Sequence, residues 1–481
     1  MNIHPDFITE IKKLLPADEI DNFLVACDKP VKKSISVCIG KIDPDKLVEI
    51  TTKRGWHLLP SQFHTSPGSY YIDRDDTSTA LGRTFLYQAG FFYIQELAAS
   101  LPASQIEAQP GALVLDMAAA PGGKTTQIAH ALLAQGGRPG LVIANDIAPL
   151  RVKTMAHNLN MMGCYNTALT KRNGGMFGKH LPEAFDHALL DAPCSGEGTR
   201  FKSDSALSFR RKEEINKITG TQFQLLISAV KAVKAGGSII YSTCTLNQYE
   251  NEEILNRILE FFPDTLAIEP VHFTNLSAGI TTAEVSCAFD PNAVARCRPH
   301  RQGTGGFFVS KIRKIASTHT AKNARQDSKL APKNPFSLDM SKSLFKKVGQ
   351  FLDETFGIKL NENQHLLAAS KEQIYLCSPD LLKLQGMLHF EKVGIPILKI
   401  DGVQYRPTHY LGNILGHLAT KNVITLDDTM MQQYSQNEEF IDPSLPERIK
   451  GMTPYYIVKR KDYGMSVSKR VPEGRKNKWG K

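Results

Sequence analysis

From Gly111 onward the chain alternates short apolar runs with amphipathic stretches, and this alternation limits its fold more than any other feature. The apolar runs fall at 112–117, 141–145, 167–170, 187–190, 238–242 and 307–312. Each is too short for a helix. Helical spacing returns between them at 125–133, 150–162 and 221–233. Buried strands alternating with helices predict an α/β domain built on a parallel sheet. Ligands of such sheets bind beyond the carboxyl ends of the strands. The residues that follow each run are therefore where chemistry is expected.

With 481 residues, the chain exceeds one ordinary core. Residues 1–33 show helical spacing at Phe7, Ile11, Leu14, Leu15, Ile20 and Phe23. Residues 34–90 read as a mixed segment with turn signals at Pro60, Pro67-Gly68 and Gly82, and 91–101 return to a helical pattern. The polar, basic stretch 315–335 has the composition of a linker. This divides the chain into an N-terminal α+β extension (1–100), the sheet domain (101–314), the linker, a small middle unit (336–395) and a C-terminal α+β unit (396–481). No stretch approaches the roughly 20 apolar residues that span a bilayer, and the first residues lack a signal peptide's basic and apolar regions. A cytoplasmic monomer with no membrane partner is the expectation.

The net charge of +10 favours a polyanionic partner, weakly by itself. Between Lys459 and Lys481 there are nine Lys or Arg against two acids, with Tyr463 and Trp479 interleaved. That run is either a solvated, disordered tail or an RNA contact. None of the eight cysteines forms a C-x-x-C pair, so no zinc ribbon or redox motif is signalled and no metal is expected. Most of them read as small buried hydrophobes.

The first run ends in Asp116-Met117 and continues as Ala118, Ala119, Ala120, Pro121, Gly122, Gly123, Lys124 and Thr125. Small residues there let the backbone approach a ligand, and the following helix points its N–H groups at it. A P-loop would need glycine where Ala118 stands, and no G-x-G-x-x-G is present. The loop alone leaves a nucleotide and S-adenosylmethionine both open. The second run ends in Asp146, 24 positions after Gly122, a spacing suited to holding ribose hydroxyls. The plainer role for Asp146, capping the next helix, can coexist with it. The fourth run ends in Asp191-Ala192-Pro193-Cys194 and the fifth in Thr243-Cys244, so two cysteines end two strands on one edge. Chance placement of two core cysteines is the bland alternative. Methylation of cytosine carbon 5 explains the pair. A thiolate adding at carbon 6 makes carbon 5 nucleophilic, an acid such as Asp191 stabilises charge at ring nitrogen 3, and a second polar group assists loss of the carbon 5 proton.

These motifs resemble the NOL1/NOP2/Sun family of RNA cytosine-5 methyltransferases. The resemblance is carried by the run from Asp116 to Lys124, by Asp191-Ala192-Pro193-Cys194-Ser195-Gly196-Glu197-Gly198, and by Ser242-Thr243-Cys244-Thr245-Leu246-Asn247 with Asn251-Glu252-Glu253. Gly90-Phe91-Phe92-Tyr93-Ile94-Gln95-Glu96 and Gly305-Gly306-Phe307-Phe308-Val309 extend it. It implies a Rossmann-like class I methyltransferase sheet, an N-terminal RNA-binding extension and a C-terminal PUA-like RNA-binding unit. It also implies S-adenosylmethionine as methyl donor, with Ala118 to Lys124 lining its methionine and ribose side, Asp146 on the ribose hydroxyls, Asn173 near the adenine, and Asp191 in the active site. Cys244 would be the nucleophile and Cys194 would aid product release. The implied substrate is 16S rRNA, within the 30S subunit, at cytosine 1407. Two positions depart from the family: Asn173 stands where Asp is usual, and Ser34-Ile35-Ser36-Val37-Cys38-Ile39 lacks the family's Arg and Asn. The competing readings are a degenerate P-loop NTPase, an RNA-binding assembly factor with a dead core, and a DNA methyltransferase. A DNA enzyme would attack through Cys194 and have no reason for Thr243-Cys244.

Overall fold

The computed structural model describes residues 5–62, 68–199, 212–318, 334–337, 342–402, 404–427, 430, 454–460, 463–470 and 477–479. Two helices, α1 (Pro5–Leu14) and α2 (Ile20–Cys27), open the chain. Their apolar stripe is the one read from the sequence: Phe7, Ile11, Leu15, Ile20 and Phe23 are buried together with Leu246, two residues beyond Cys244.

The next elements are β1 (Ser34–Val37), α3 (Pro44–Thr52), β2 (Trp56–Pro60), β3 (Ser69–Arg74), α4 (Phe85–Gln88) and β4 (Phe92–Ile94). Asp43 starts α3 by accepting the N–H groups of Asp45 and Lys46, with Pro44 in the first turn. The strands form an antiparallel sheet in the order β2-β3-β1-β4. The helical pattern expected over 91–101 divides here. Phe92–Ile94 pairs along β1, and only α5 (Leu97–Ser104) is helical, starting where Glu96 accepts the N–H of Ala99 at 3.1 Å. An open strand edge outcompetes the helical periodicity of three aromatic and β-branched residues.

The central domain follows the expected alternation. It comprises β5 (Leu113–Asp116), α6 (Gly123–Ala134), β6 (Leu141–Asn145), α7 (Pro149–Met162), β7 (Thr167–Thr170), α8 (Phe177–His180), β8 (Phe185–Asp191), α9 (Lys212–Ala232), β9 (Val233–Thr243), α10 (Glu252–Phe261), β10 (Leu266–Glu269), β11 (Ala295–Cys297), α11 (Pro299–Gln302) and β12 (Phe307–Lys314). Strands β7-β6-β5-β8-β9 are parallel neighbours, and β12 adds antiparallel to β9. Side chains alternate between two apolar layers: Leu113, Leu115, Ala188 and Tyr241 face one, Val114, Leu189 and Ile240 the other. Both faces are covered, as a parallel sheet requires.

The last third holds α12 (Lys342–Phe356), β13 (Leu366–Ala369), β14 (Gln373–Cys377), β15 (Lys392–Val393), β16 (Ile395–Asp401), β17 (Gln404–Pro407), α13 (His409–Leu415), β18 (Val423–Thr425), β19 (Tyr455–Arg460), β20 (Tyr463–Arg470) and β21 (Asn477–Trp479). β15 pairs with β7 and so closes the outer edge of the central sheet. A second sheet, β13-β14-β16-β17, runs across residue 395, where composition suggests a division. The last sheet has the order β18-β19-β20-β21, so the described part of the basic C-terminal run is strand, not solvated tail. Lys459 already spends its ammonium on the carbonyls of His417 and Ala419. Ile424, Tyr456, Val458 and Met465 of this unit share one core with Ile35, Trp56, Phe85 and Phe92 of the N-terminal sheet.

Helix α13 crosses β20 at backbone contact. A Cβ added at Gly412 would lie 1.9 Å from the Ser466 carbonyl oxygen. Gly412→Ala is therefore expected to force the helix off the strand at a cost of about 1–3 kcal/mol, read as a lowered thermal midpoint. An unchanged midpoint would show that the two backbones can part freely.

Candidate active site

The turn after β5 is built for close approach. Gly122 has φ +106°, a left-handed conformation that favours glycine. A Cβ on Gly123 would lie 2.9 Å from Gln95 Oε1 and 3.0 Å from Tyr93 Cε1, so β4 and the residue after it lie directly on the turn. From α7, Arg151 donates to the carbonyl of Ala120 at 2.7 Å and Asn158 to that of Pro121 at 2.9 Å. Asp116 is 1 % exposed. One of its oxygens accepts from Thr125 Oγ1 at 2.7 Å, and the other, Oδ1, meets no donor among the described residues. Burial pushes its pKa up to about 7, and the Thr125 hydrogen bond only partly offsets this.

Asn145 ties three strand ends together. Its amide donates to the carbonyls of Met117 and Arg172, and its oxygen accepts from Thr170 Oγ1 and the Arg172 N–H. Next to it, Asp146 is buried. Its Oδ1 accepts the Ala148 N–H at 3.0 Å, which forms a turn ahead of α7 and not the expected cap, since the N-cap is Ala148 and no side chain caps the helix, while Oδ2 lies 3.2 Å from Arg151. Ile147 is left two-thirds exposed beside it. Asn173 caps the turn Gly174–Met176 by accepting the Gly175 N–H at 2.9 Å.

At the ends of β8 and β9 the two cysteines meet, with Sγ atoms 3.2 Å apart. The Cys194 thiol is pushed well above its ordinary pKa, first by its hydrogen bond to Cys244 and then by burial. Asp191 accepts from Lys124 Nζ at 2.7 Å and from Ser242 Oγ at 2.8 Å. Burial lowers the Lys124 pKa, but Asp191, joined by Asp116 and Cys244, raises it and the net shift is upward. The same ammonium stands 5.4 Å over the Phe307 ring.

A cavity of about 370 Å³ joins these groups. Of the residues singled out from sequence, Ala118, Ala119, Ala120, Pro121, Gly123, Lys124, Asp191 and Cys244 line it. Gly122, Cys194, Asp146 and Asn173 do not, although the last two sit at the same carboxyl edge. Tyr93, Gln95, Glu96 and Phe307 also line it and were given no role from sequence. The only signal for them was their place in the Gly90–Glu96 and Gly305–Val309 motifs. Glu96 accepts the N–H of Gly305 at 3.3 Å, so it joins these two motifs across the cavity mouth. Among the described residues no cluster of three metal-binding side chains occurs.

Residues 103–313 match the family described as 16S rRNA methyltransferase RsmB/F, and residues 3–97 match the N-terminal domain of 16S rRNA methyltransferase RsmF. A ribosomal RNA small subunit methyltransferase F from Vibrio cholerae is 33% identical over 431 residues, 89% of this chain and 87% of the relative. Its counterpart from Vibrio campbellii is 33% identical over 477 residues, 97% and 95%. Among solved structures, a methyltransferase homolog protein from Pyrococcus horikoshii superposes with TM-score 0.54 at 27% identity, over 65% of this chain and 100% of its own. NSun6 from the same organism, solved with SFG, shares the fold with TM-score 0.54 at 23% identity, over 65% and 99%.

Asp116 gives a pH signature. Its folded pKa, about 7, lies above the ordinary 3.8. Its contribution to stability is thus complete below pH 3.8 and is lost as the pH rises through 7. Thermal unfolding of the ligand-free protein at pH 5 and pH 8 should show this loss, and Asp116→Asn should reduce it. Equal pH dependence in the two proteins would refute the assignment.

Proposed function

The chain belongs to the 16S rRNA methyltransferase RsmB/F family, and from that premise we propose that it methylates carbon 5 of a cytosine in 16S rRNA through a covalent bond to Cys244. The observation that carries the reading is the Cys194–Cys244 contact of 3.2 Å beside the Lys124–Asp191 pair. A P-loop reading gives the two thiols nothing to do.

S-adenosylmethionine, the family's cofactor, supplies an electrophilic methyl group on a sulfonium centre. The residues present fit it: a small-residue turn opens onto the cavity, and one buried carboxylate oxygen of its lining, Asp116 Oδ1, lacks a hydrogen-bond partner among the described residues. Ala118 to Lys124 would hold its methionine and ribose side, Asp146 the ribose hydroxyls, Asn173 the adenine amino group. Cys244 adds to cytosine carbon 6 and so makes carbon 5 nucleophilic. Asp191, carrying a proton relayed from Lys124, donates it to ring nitrogen 3 and so stabilises the charge that develops there; the proton returns to Lys124 when the ring is restored. Cys194 then has a timed role. Its proton is held chiefly by the hydrogen bond to Cys244. Once the Cys244 electron pair is in the bond to carbon 6, that hold is gone: Cys194 gives up its proton to solvent and, as the thiolate, accepts the proton from carbon 5. The carbon–sulfur bond breaks, and the aromatic ring and the Cys244 thiolate are restored.

The finer parts of the reading follow the resemblance. The target is cytosine 1407, presented in the 30S subunit, and the enzyme works as a cytoplasmic monomer. RNA is held by the N-terminal extension and by the C-terminal unit as a PUA-like module, where the basic run supplies phosphate contacts. Bisulfite sequencing of 16S rRNA from cells lacking the protein tests the target directly.

The two cysteines should fail differently on replacement. Cys244→Ala is expected to bind RNA and yield neither product nor adduct. Cys194→Ala should still attack and transfer methyl but release slowly, accumulating a protein–RNA complex that survives denaturing electrophoresis. An adduct trapped by Cys244→Ala alone would reverse the roles. Asp146→Ala should weaken cofactor binding by about 1.5–3 kcal/mol, roughly one to two decades, with RNA binding intact. Unchanged cofactor affinity by titration would remove Asp146 from the site.

A further inference from the structure

We propose that Glu197 and Glu250 are positioning residues that form a reciprocal clamp and set the spacing of the two thiols. Glu197, on the Cys194 loop, grips the backbone after Cys244: it accepts the N–H groups of Leu246 at 3.2 Å and Asn247 at 3.0 Å, and the Thr245 hydroxyl at 2.9 Å. Glu250, on the Cys244 side, grips the backbone after Cys194: it accepts the Ser195 N–H at 2.9 Å. The Asn247 amide lies between the carboxylates, 3.1 Å from one and 2.6 Å from the other. Gln222 braces the arrangement from α9, donating to Glu250 at 2.8 Å and to the Pro193 carbonyl at 3.0 Å.

Glu197 and Glu250 are 9 % and 0 % exposed. What offsets the burial of Glu197 is hydrogen bonding: burial and the neighbouring Glu250 push its pKa up, and Asn247 and Thr245 pull it back. Apolar side chains would fill such a space at lower cost. What carboxylates add is direction, because each accepts several donors at fixed angles. The direction serves the chemistry. Cytosine carbons 5 and 6 are bonded neighbours, so the group at one and the nucleophile at the other must be held close without drifting together. The clamp rests on the reading of Cys244 as nucleophile, and it goes beyond that reading by naming what holds the thiols apart and in register.

Full-length Glu197→Gln and Glu250→Gln test it. Glutamine keeps the size but turns a donor toward donors. Each variant should lower kcat roughly 10- to 100-fold, with cofactor affinity and the RNA KM within about twofold. The pH profile for alkylation of Cys244 by iodoacetamide, without RNA or cofactor, should move, because the hydrogen bond from Cys194 is stretched. Folded variants with wild-type kcat and alkylation profile would overturn the clamp. If either fails to fold, Gln222→Met, which withdraws one donor from Glu250, carries the test: a smaller shift in the same direction supports the clamp, and none overturns it. Cys244→Ala run in parallel separates the two ideas. An active Cys244→Ala refutes the nucleophile assignment; an inactive one beside wild-type-like glutamine variants refutes the clamp alone.

Discussion

At the carboxyl edge of a parallel sheet the backbone leaves its ladder while still buried, and its polar groups must find other partners. Here side chains supply them. Asn145 spends its whole amide on the ends of β5, β6 and β7. Two residues before Cys244, Ser242 turns its hydroxyl to Asp191. Beyond it, Arg296 is bound to both oxygens of Glu252 at the start of α10 and donates to the Leu246 carbonyl at 2.6 Å. The segments around Asp191 and Cys244 are thereby tied to buried polar groups. Such groups tolerate little displacement, because each lost partner leaves a desolvated group behind. Rigidity at this edge suits the proposed chemistry, in which the thiols and the acid are in place before a base arrives.

The parts of this site legible in the sequence are those fixed by local order. A strand followed by small residues and a helix announces its own turn, so Ala118 to Lys124 could be placed without knowing any contact. Cysteines at strand ends could be assigned to one edge because parallel strands all end at the same edge. Partners distant in the chain were not legible. Nothing near Glu197 says that it will meet Asn247, and nothing near Arg296 points to Glu252, because long-range pairing leaves no periodic trace. Residues 92–94 show the limit of periodicity itself: a helical spacing gave way to an edge of β1 that the pattern does not contain. The basic terminus was equally ambiguous, since charge counts do not distinguish a solvated tail from a strand such as β19, where Lys459 closes carbonyls nearby.

The units suggested by composition do not behave as beads on a string. Leu366, Ala368 and Leu381 lie in the same apolar cluster as the central sheet, and β15 completes that sheet's edge. Lys41 donates to Ala89 and to Asn413, and the Phe91 and Tyr463 rings meet edge to face at 5.7 Å. Surfaces that share cores cannot reorient independently. Any RNA contact made by the C-terminal strands is therefore made in a fixed frame relative to Cys244.

The core shared by Trp56, Phe85 and Phe92 with Tyr456 and Met465 also has a consequence in time. A chain is synthesised from its amino end, at about 5–20 residues per second. The N-terminal sheet leaves the ribosome long before the strands that cover its apolar face exist. Throughout translation of the central domain that face is a nascent surface, open to chaperones. Only a chain read through to its last strands can bury it, and one released early by a premature stop would present it to the proteases that clear incomplete products.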